Sequence, residues 1–335
     1  MSPVVYAAPY VPPPPRVSPW RGFSMIWRAW DGSEWDLTGS RGPTGLALLE
    51  GVRGLISPPT TRFSSPRASV PGSRYRGSQV QERPVYWPLL VWADLSSQAW
   101  IDYDAAFWRS MDMDRPGVWQ VTHPNGIIRS LLCRFDGLDD DSLVRDPARA
   151  GWTTYGVNLV ADEDPFWRGQ PVVRGPFATA VEAVPFFGED GAPPFYLSGS
   201  GLASTTVAIA NPGDVAAPPV WWVHSSDDDL FVGVPGRRVH VPFSVEEGRL
   251  LVVDASPLAQ TAIEVEAPPA NVTDRSEQEA WVAAHLASGV DRTTELGDTT
   301  RWGSIPAGSS VDVSIESAGA AVVSLSITPR YRRAW

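Results

Sequence analysis
The chain has 335 residues, of which 43% are hydrophobic, which is ample material for folded cores and too much chain for one ordinary core. Its 38 acidic residues outnumber 27 basic ones, a formal net charge of −11, and such a balance argues against a protein that grips the phosphate backbone of a nucleic acid. Cys133 is the single cysteine, which excludes an intrachain disulfide framework and a thiolate metal cluster.

Residues 1–19 read as a proline-rich arm, extended around Pro12–Pro15, with neither the basic start nor the apolar core of a signal peptide. No run of 18 or more residues is continuously apolar, so no membrane span is expected. Residues 20–170 are expected to form a first, β-rich domain. Phe23–Trp30 has strand character and Asp31-Gly32 is a tight-turn signal. From Gly39 to Arg83 the pattern loosens into Gly, Pro, Ser and Arg, which predicts a long loop. The loop is too poor in apolar residues to fold upon itself, so Arg74, Tyr75, Arg76 and Arg83 are candidates for contact with an adjacent subunit.

Val85–Trp92 predicts a strand, Ser97–Met111 an amphipathic helix, and Trp119–Phe135 a hairpin turning at His123-Pro124-Asn125-Gly126. Tyr155–Ala161 predicts a further strand, closed by Asp164-Pro165-Phe166-Trp167-Arg168-Gly169. Residues 171–335 are expected to form a second domain. Period-two alternation at Val239, Val241, Phe243 and Val245, at Val311, Val313 and Ile315, and at Val323, Leu325 and Ile327 is the pattern of a β-sandwich. One helix interrupts it: Ser276 and Glu279 have capping-box spacing, and Gly289 stops the run.

Catalytic and metal-binding spacings are missing. His123, His224, His240 and His285 are scattered and read as surface residues, and the absence of lysine rules out a Gly-Lys phosphate loop. The acidic runs Asp139–Asp141 and Asp227–Asp229 lack a calcium-loop pattern and read as solvated turns. Sixteen tryptophans read first as core and interface filling. The rival is sugar stacking, for which Trp222 and His224, on one face of a strand, are the candidate glycan contacts.

Four phrases of turn chemistry follow in order through the second half: Asn211-Pro212-Gly213-Asp214, Leu251–Pro257, Ile305-Pro306-Ala307-Gly308, and Ile327-Thr328-Pro329-Arg330-Tyr331. With Asp164–Gly169 and the Gly72–Arg83 stretch before a strand, the chain resembles siphophage distal tail proteins, the minor tail proteins of actinobacteriophage type. The resemblance implies a mainly β protein whose second domain is a galectin-like sandwich. It implies a virion protein assembled in the host cytoplasm into a ring at the tail tip, a homohexamer, joining the tail tube to the baseplate hub. The implied partners are further copies of itself, the tail tube protein, the tail hub or tail-associated protein, and the tape measure protein. DNA would only pass through the channel, which the net acidity suits, and no enzyme activity, cofactor or membrane contact is implied. A carbohydrate-binding module and a cell-wall hydrolase are the rival readings.

Overall fold
A computed structural model describes residues 22–39, 42–66, 71–139, 145–179, 203–227 and 229–335. The proline-rich arm, Asp140, Asp141 and Asp228 lie outside the described residues. Half of the described residues are strand and 11% are helix, so the architecture is mainly β, as the alternation predicts.

The first half is built on a curved nine-stranded sheet. Its main path runs Glu34–Asp36, Ser24–Arg28, Gly117–Thr122, Ile128–Leu138, Trp152–Ala161, Arg83–Ala93, Thr44–Leu48, with all neighbours antiparallel. The two ends of the path approach each other: Thr38 bridges Ala47, and the Leu48 amide donates to the Leu37 carbonyl at 2.9 Å. The sheet thereby nearly closes into a barrel, which removes the exposed edges that invite aggregation. Its interior is tryptophan-rich. Trp27, Trp87, Trp119 and Trp167 follow one another edge-on or tilted, with ring centroids 5.4, 5.3 and 5.1 Å apart. Such geometry sets the positive edge of one indole against the negative face of the next.

The predicted helix is present as Ser97–Arg109, capped by the Ser96 side chain, which accepts from the Ala99 amide. It packs on the barrel through Phe107, Tyr103 and Trp108. The region read from sequence as a long loop is different. It holds the strand Thr44–Leu48 and a separate hairpin, Thr60–Pro66 paired with Ser73–Val80. Sequence pattern conceals this hairpin because both of its faces are exposed, so no period-two contrast marks it.

The second half is a two-sheet sandwich. A six-stranded sheet runs Val172–Thr179, Ala321–Ile327, Pro219–Ser226, Arg249–Asp254, Thr261–Glu266, Val290–Asp291. A four-stranded sheet runs Ala203–Ala210, Ser310–Ser317, Leu230–Val234, Arg237–Val241. The alternating Val239, Val241, Val245, Val313, Ile315, Val323, Leu325 and Ile327 all point into one core with Trp221.

The helix Arg275–Leu286 lies on the outer face of the larger sheet and covers a smaller cluster around Trp222, Leu250 and Val265. Its cap corrects the sequence reading. Asp274, not Ser276, accepts from the Ser276 and Glu277 amides, and Glu279 pairs with Arg275 at 3.1 Å. A carboxylate one position before the first turn is the stronger acceptor and takes the capping role.

Candidate functional site
The phrases that stand far apart in the sequence meet in space, at the joint between barrel and sandwich. Asn211 is buried, and its amide nitrogen donates to the carbonyls of Val215, Ile305 and Pro306 at 2.9, 3.0 and 3.2 Å. Its oxygen accepts from the Gly213 amide at 2.9 Å, so one side chain ties the Asn-Pro-Gly turn to the Ile-Pro-Ala-Gly turn. Gly213 is required by close packing: a Cβ there would stand 2.6 Å from the Arg330 carbonyl oxygen. Asp164 accepts from Arg168 at 3.3 Å and from Arg330 at 2.9 Å, joining the Asp-Pro-Phe-Trp-Arg-Gly phrase to the Arg330-Tyr331 phrase.

The segment Arg330–Trp335 then leaves the sandwich and packs on the barrel. Tyr331 pairs with Trp167, and Arg129 stacks over the Tyr331 ring at 3.7 Å. The Ala334 amide donates to the Leu55 carbonyl at 2.9 Å, and Trp335 stacks on Phe23 at 5.5 Å. Ala334 belongs to the barrel core, not to the sandwich core.

Arg83 sits at the centre of this joint. It is 1% exposed and donates to the carbonyls of Pro165 at 2.6 Å, Gly54 at 2.6 Å, Arg332 at 2.9 Å, and Ile56. Burial lowers its pKa to about 10, with Cys133, Asp164 and Asp214 acting the other way. It stays a cation at neutral pH, held by carbonyl dipoles. This removes Arg83 from the candidate subunit contacts, because its donors are committed inside its own chain.

Arg74, Tyr75 and Arg76 stand elsewhere, on the hairpin. Every residue of its two strands is exposed apart from Ser65 and Gly77, which are intermediate. Tyr75 is 63% exposed and Phe63 48%. Among the described residues neither Arg62, Arg74 nor Arg76 has a carboxylate partner; Arg76 donates only to the Ser65 hydroxyl, at 3.0 Å. A two-stranded ribbon buried on neither face is marginal by itself.

Trp222 and His224 do share a face, as strand alternation requires, but the face is covered. Trp222 is 4% exposed and lies beneath Arg275, whose guanidinium carbon is 3.6 Å from the ring centroid. His224 bonds to the Ser324 hydroxyl at 2.8 Å. No open aromatic platform exists at Trp222 for a sugar ring.

Burial first, and the Arg275 charge second, hold the His224 pKa below its ordinary value. The folded protein therefore binds this proton less readily than the unfolded chain. Stability from His224 is complete above the unfolded-chain pKa of about 6.5 and is lost as the pH falls below it and through the lower folded-state pKa. The urea midpoint is expected to fall between pH 7.5 and 5.5, and to fall less in His224→Gln. An identical pH slope in the two proteins would show that His224 plays no part.

The other histidines are partly buried and bonded within the chain, where the sequence suggested surface positions. His123 meets the Ala334 carbonyl at 2.6 Å, His240 the Asp229 carboxylate at 3.0 Å, and His285 the Trp281 carbonyl at 2.8 Å. Among the described residues no three His, Cys, Asp or Glu side chains gather as a metal site. Cys133 is fully buried, and burial pushes its thiol pKa upward, so it is no nucleophile.

No family model and no curated protein sequence matches the chain. Solved structures do. The Dit (gp 19.1) protein of phage SPP1, described as a paradigm of the hub adsorption apparatus in phages infecting Gram-positive hosts, superposes with a TM-score of 0.57 at 12% identity, over 92% of this chain and 99% of that one. The chain has the Dit fold. A chain of the phage P2 baseplate in its activated conformation with Ca is similar at TM-score 0.50 and 8% identity, over 92% of this chain and 98% of that one. Near-complete coverage of both chains means that barrel, joint and sandwich are all parts of the shared fold. At 8–12% identity, what persists is the order of elements, with most side chains exchanged.

Proposed function
We propose that this protein is a structural subunit of a siphophage virion, forming a ring at the distal end of the tail and joining the tail tube to the tail-tip or baseplate hub. The observation that carries the reading is the Dit fold, matched from end to end by a protein described as a phage adsorption-apparatus hub. In this reading residues 20–170 close the ring, a homohexamer, and residues 171–335 form a galectin-like module that docks outward. Segment 330–335 is physically part of the first unit. The hairpin bearing Arg74, Tyr75 and Arg76 reaches an adjacent copy, which supplies the burial that its own chain does not. The tail tube protein, the hub or tail-associated protein and the tape measure protein are its partners, and DNA passes through the channel without being bound. The protein is not an enzyme in this reading.

Native mass measurement at micromolar concentration, alone and with tail-tube and hub proteins, tests this. A closed oligomer, visible as a ring by electron microscopy, is expected. Hydrogen exchange should slow at the amides of Ser73–Val80 on assembly and not before it. A particle that stays monomeric both alone and with its neighbours overturns the reading.

A further inference from the structure
A cleft of about 780 Å³ opens between barrel and sandwich, lined in part by Pro165, whose carbonyl accepts from the buried Arg83. One wall comes from the barrel, with Glu82, Asp162 and Glu163, and the other from the sandwich, with Asp254 and the Pro257-Leu258 turn. Five carboxylates line it, Asp164 being the fifth, against two arginines, Arg168 and Arg330. Both of those arginines are spent on Asp164, and Asp162 and Glu163 share Arg134. Glu82 and Asp254 have no arginine partner among the described residues. The cleft is therefore acidic, and it is also partly apolar, since Leu258 is 77% exposed and Val80 38%.

The hairpin has the opposite character. From Gly51 to Gln81 the sequence contains five arginines and no acid. Arg74 and Tyr75 lie close to the hairpin tip, where Arg74 pairs with Ser65 and Ser73 with Pro66. The strand's other end, Val80, forms part of the cleft rim. Six steps of extended strand separate Val80 from Arg74, about 20 Å. A paired ribbon cannot double back on itself, so the tip does not fill the cleft of its own chain.

We propose that the cleft between barrel and sandwich receives the hairpin tip of a second copy, with Arg74 and Arg76, on one face of the strand, turned to Glu82 on the barrel wall, and Tyr75, on the other face, packing on Leu258 of the sandwich wall. This rests on the ring reading above and names its receiving surface. The contact is heterologous: one patch on each copy binds a different patch on the next, which is the arrangement that closes into rings. Exposed, complementary charges steer the encounter, and the aromatic side chain supplies apolar contact.

Two exposed-residue variants test it. One carries Arg74→Glu and Arg76→Glu on the hairpin; the other carries Glu82→Arg and Leu258→Arg on the cleft. Neither changes a buried residue, and a wild-type far-ultraviolet circular dichroism spectrum with a cooperative unfolding transition confirms that both fold. Each alone is expected to sediment as a single chain, while an equimolar mixture regains the wild-type mass, because hairpin and cleft then alternate with matched charge around the ring. If the hairpin variant assembles like the wild type, both the strap and the cleft fall. If the hairpin variant is monomeric but the cleft variant assembles normally, or the mixture stays monomeric, the cleft proposal falls and the strap reading stands.

Discussion

Arg83→Ala is expected to be among the most damaging single substitutions in this protein, at about 3–5 kcal/mol. Removing the guanidinium takes the side-chain donor from the carbonyls of Ile56, Pro165 and Arg332, while Gly54 keeps its bond from the Trp167 indole at 3.3 Å. A buried acceptor left without a partner costs roughly 1–3 kcal/mol, lessened where water enters the vacated space. Arg83→Lys should recover little of the loss. An ammonium has three donors radiating from one atom and cannot span carbonyls that a planar fork reaches on several sides. Because the folded-state pKa lies at about 10, below that of the unfolded chain, charge burial here costs stability at neutral pH, and the cost is relieved only as pH rises above about 10. Thermal unfolding at pH 7 checks the result. A loss below ~1 kcal/mol in Arg83→Ala would mean that the carbonyls are hydrated without it.

Trp87→Ala is the second large effect, expected at about 3–5 kcal/mol. Trp87 is fully buried and touches Trp27 on one side and Trp119 on the other, so truncation opens a void in the middle of the indole series. Trp87→Phe should cost less than half as much. The Trp87 indole nitrogen has no hydrogen-bond partner among the described residues, so the phenyl ring gives up area and edge-on contact but no bond. Guanidinium unfolding followed by near-ultraviolet circular dichroism, which reports packed aromatic rings, checks both. The barrel and sandwich have separate cores, so Trp87→Ala should leave the unfolding of the sandwich nearly unmoved unless the joint transmits the loss. Equal costs for Ala and Phe would show that the neighbouring indoles close over the void.

The sandwich was the most legible part of the sequence. Val239, Val241 and Val245 alternate with polar residues because one side of their segment is buried and the other is not, and period two records that directly. The opposite orientation of Trp221 and Trp222 follows from the same rule, although only the structure places a helix over Trp222. The hairpin was illegible for the converse reason: exposed on both faces, it carries no contrast to read. Arg83 was misread because arginine is ordinarily a surface residue, and nothing local announces carbonyls contributed by positions 54, 56, 165 and 332. The turn phrases were found but not their meeting point, since Asn211 and Ile305 are 94 residues apart and sequence proximity carries no such information.

The return of Arg330–Trp335 to the barrel also fixes a timetable for synthesis. Ala334 fills part of the barrel core, and Arg332 supplies one of the carbonyls that hold Arg83. The barrel's other core residues run from Trp27 to Trp167, so nearly all of its material has left the ribosome long before the piece that completes it. At roughly 5–20 residues per second, translation of the intervening stretch takes on the order of 10–30 seconds. Until then the Arg83 guanidinium lacks the Arg332 carbonyl among its acceptors. A polypeptide cut short before Arg330 lacks both the Ala334 core contact and the Arg332 carbonyl, and its barrel is expected to be less stable than that of the full chain.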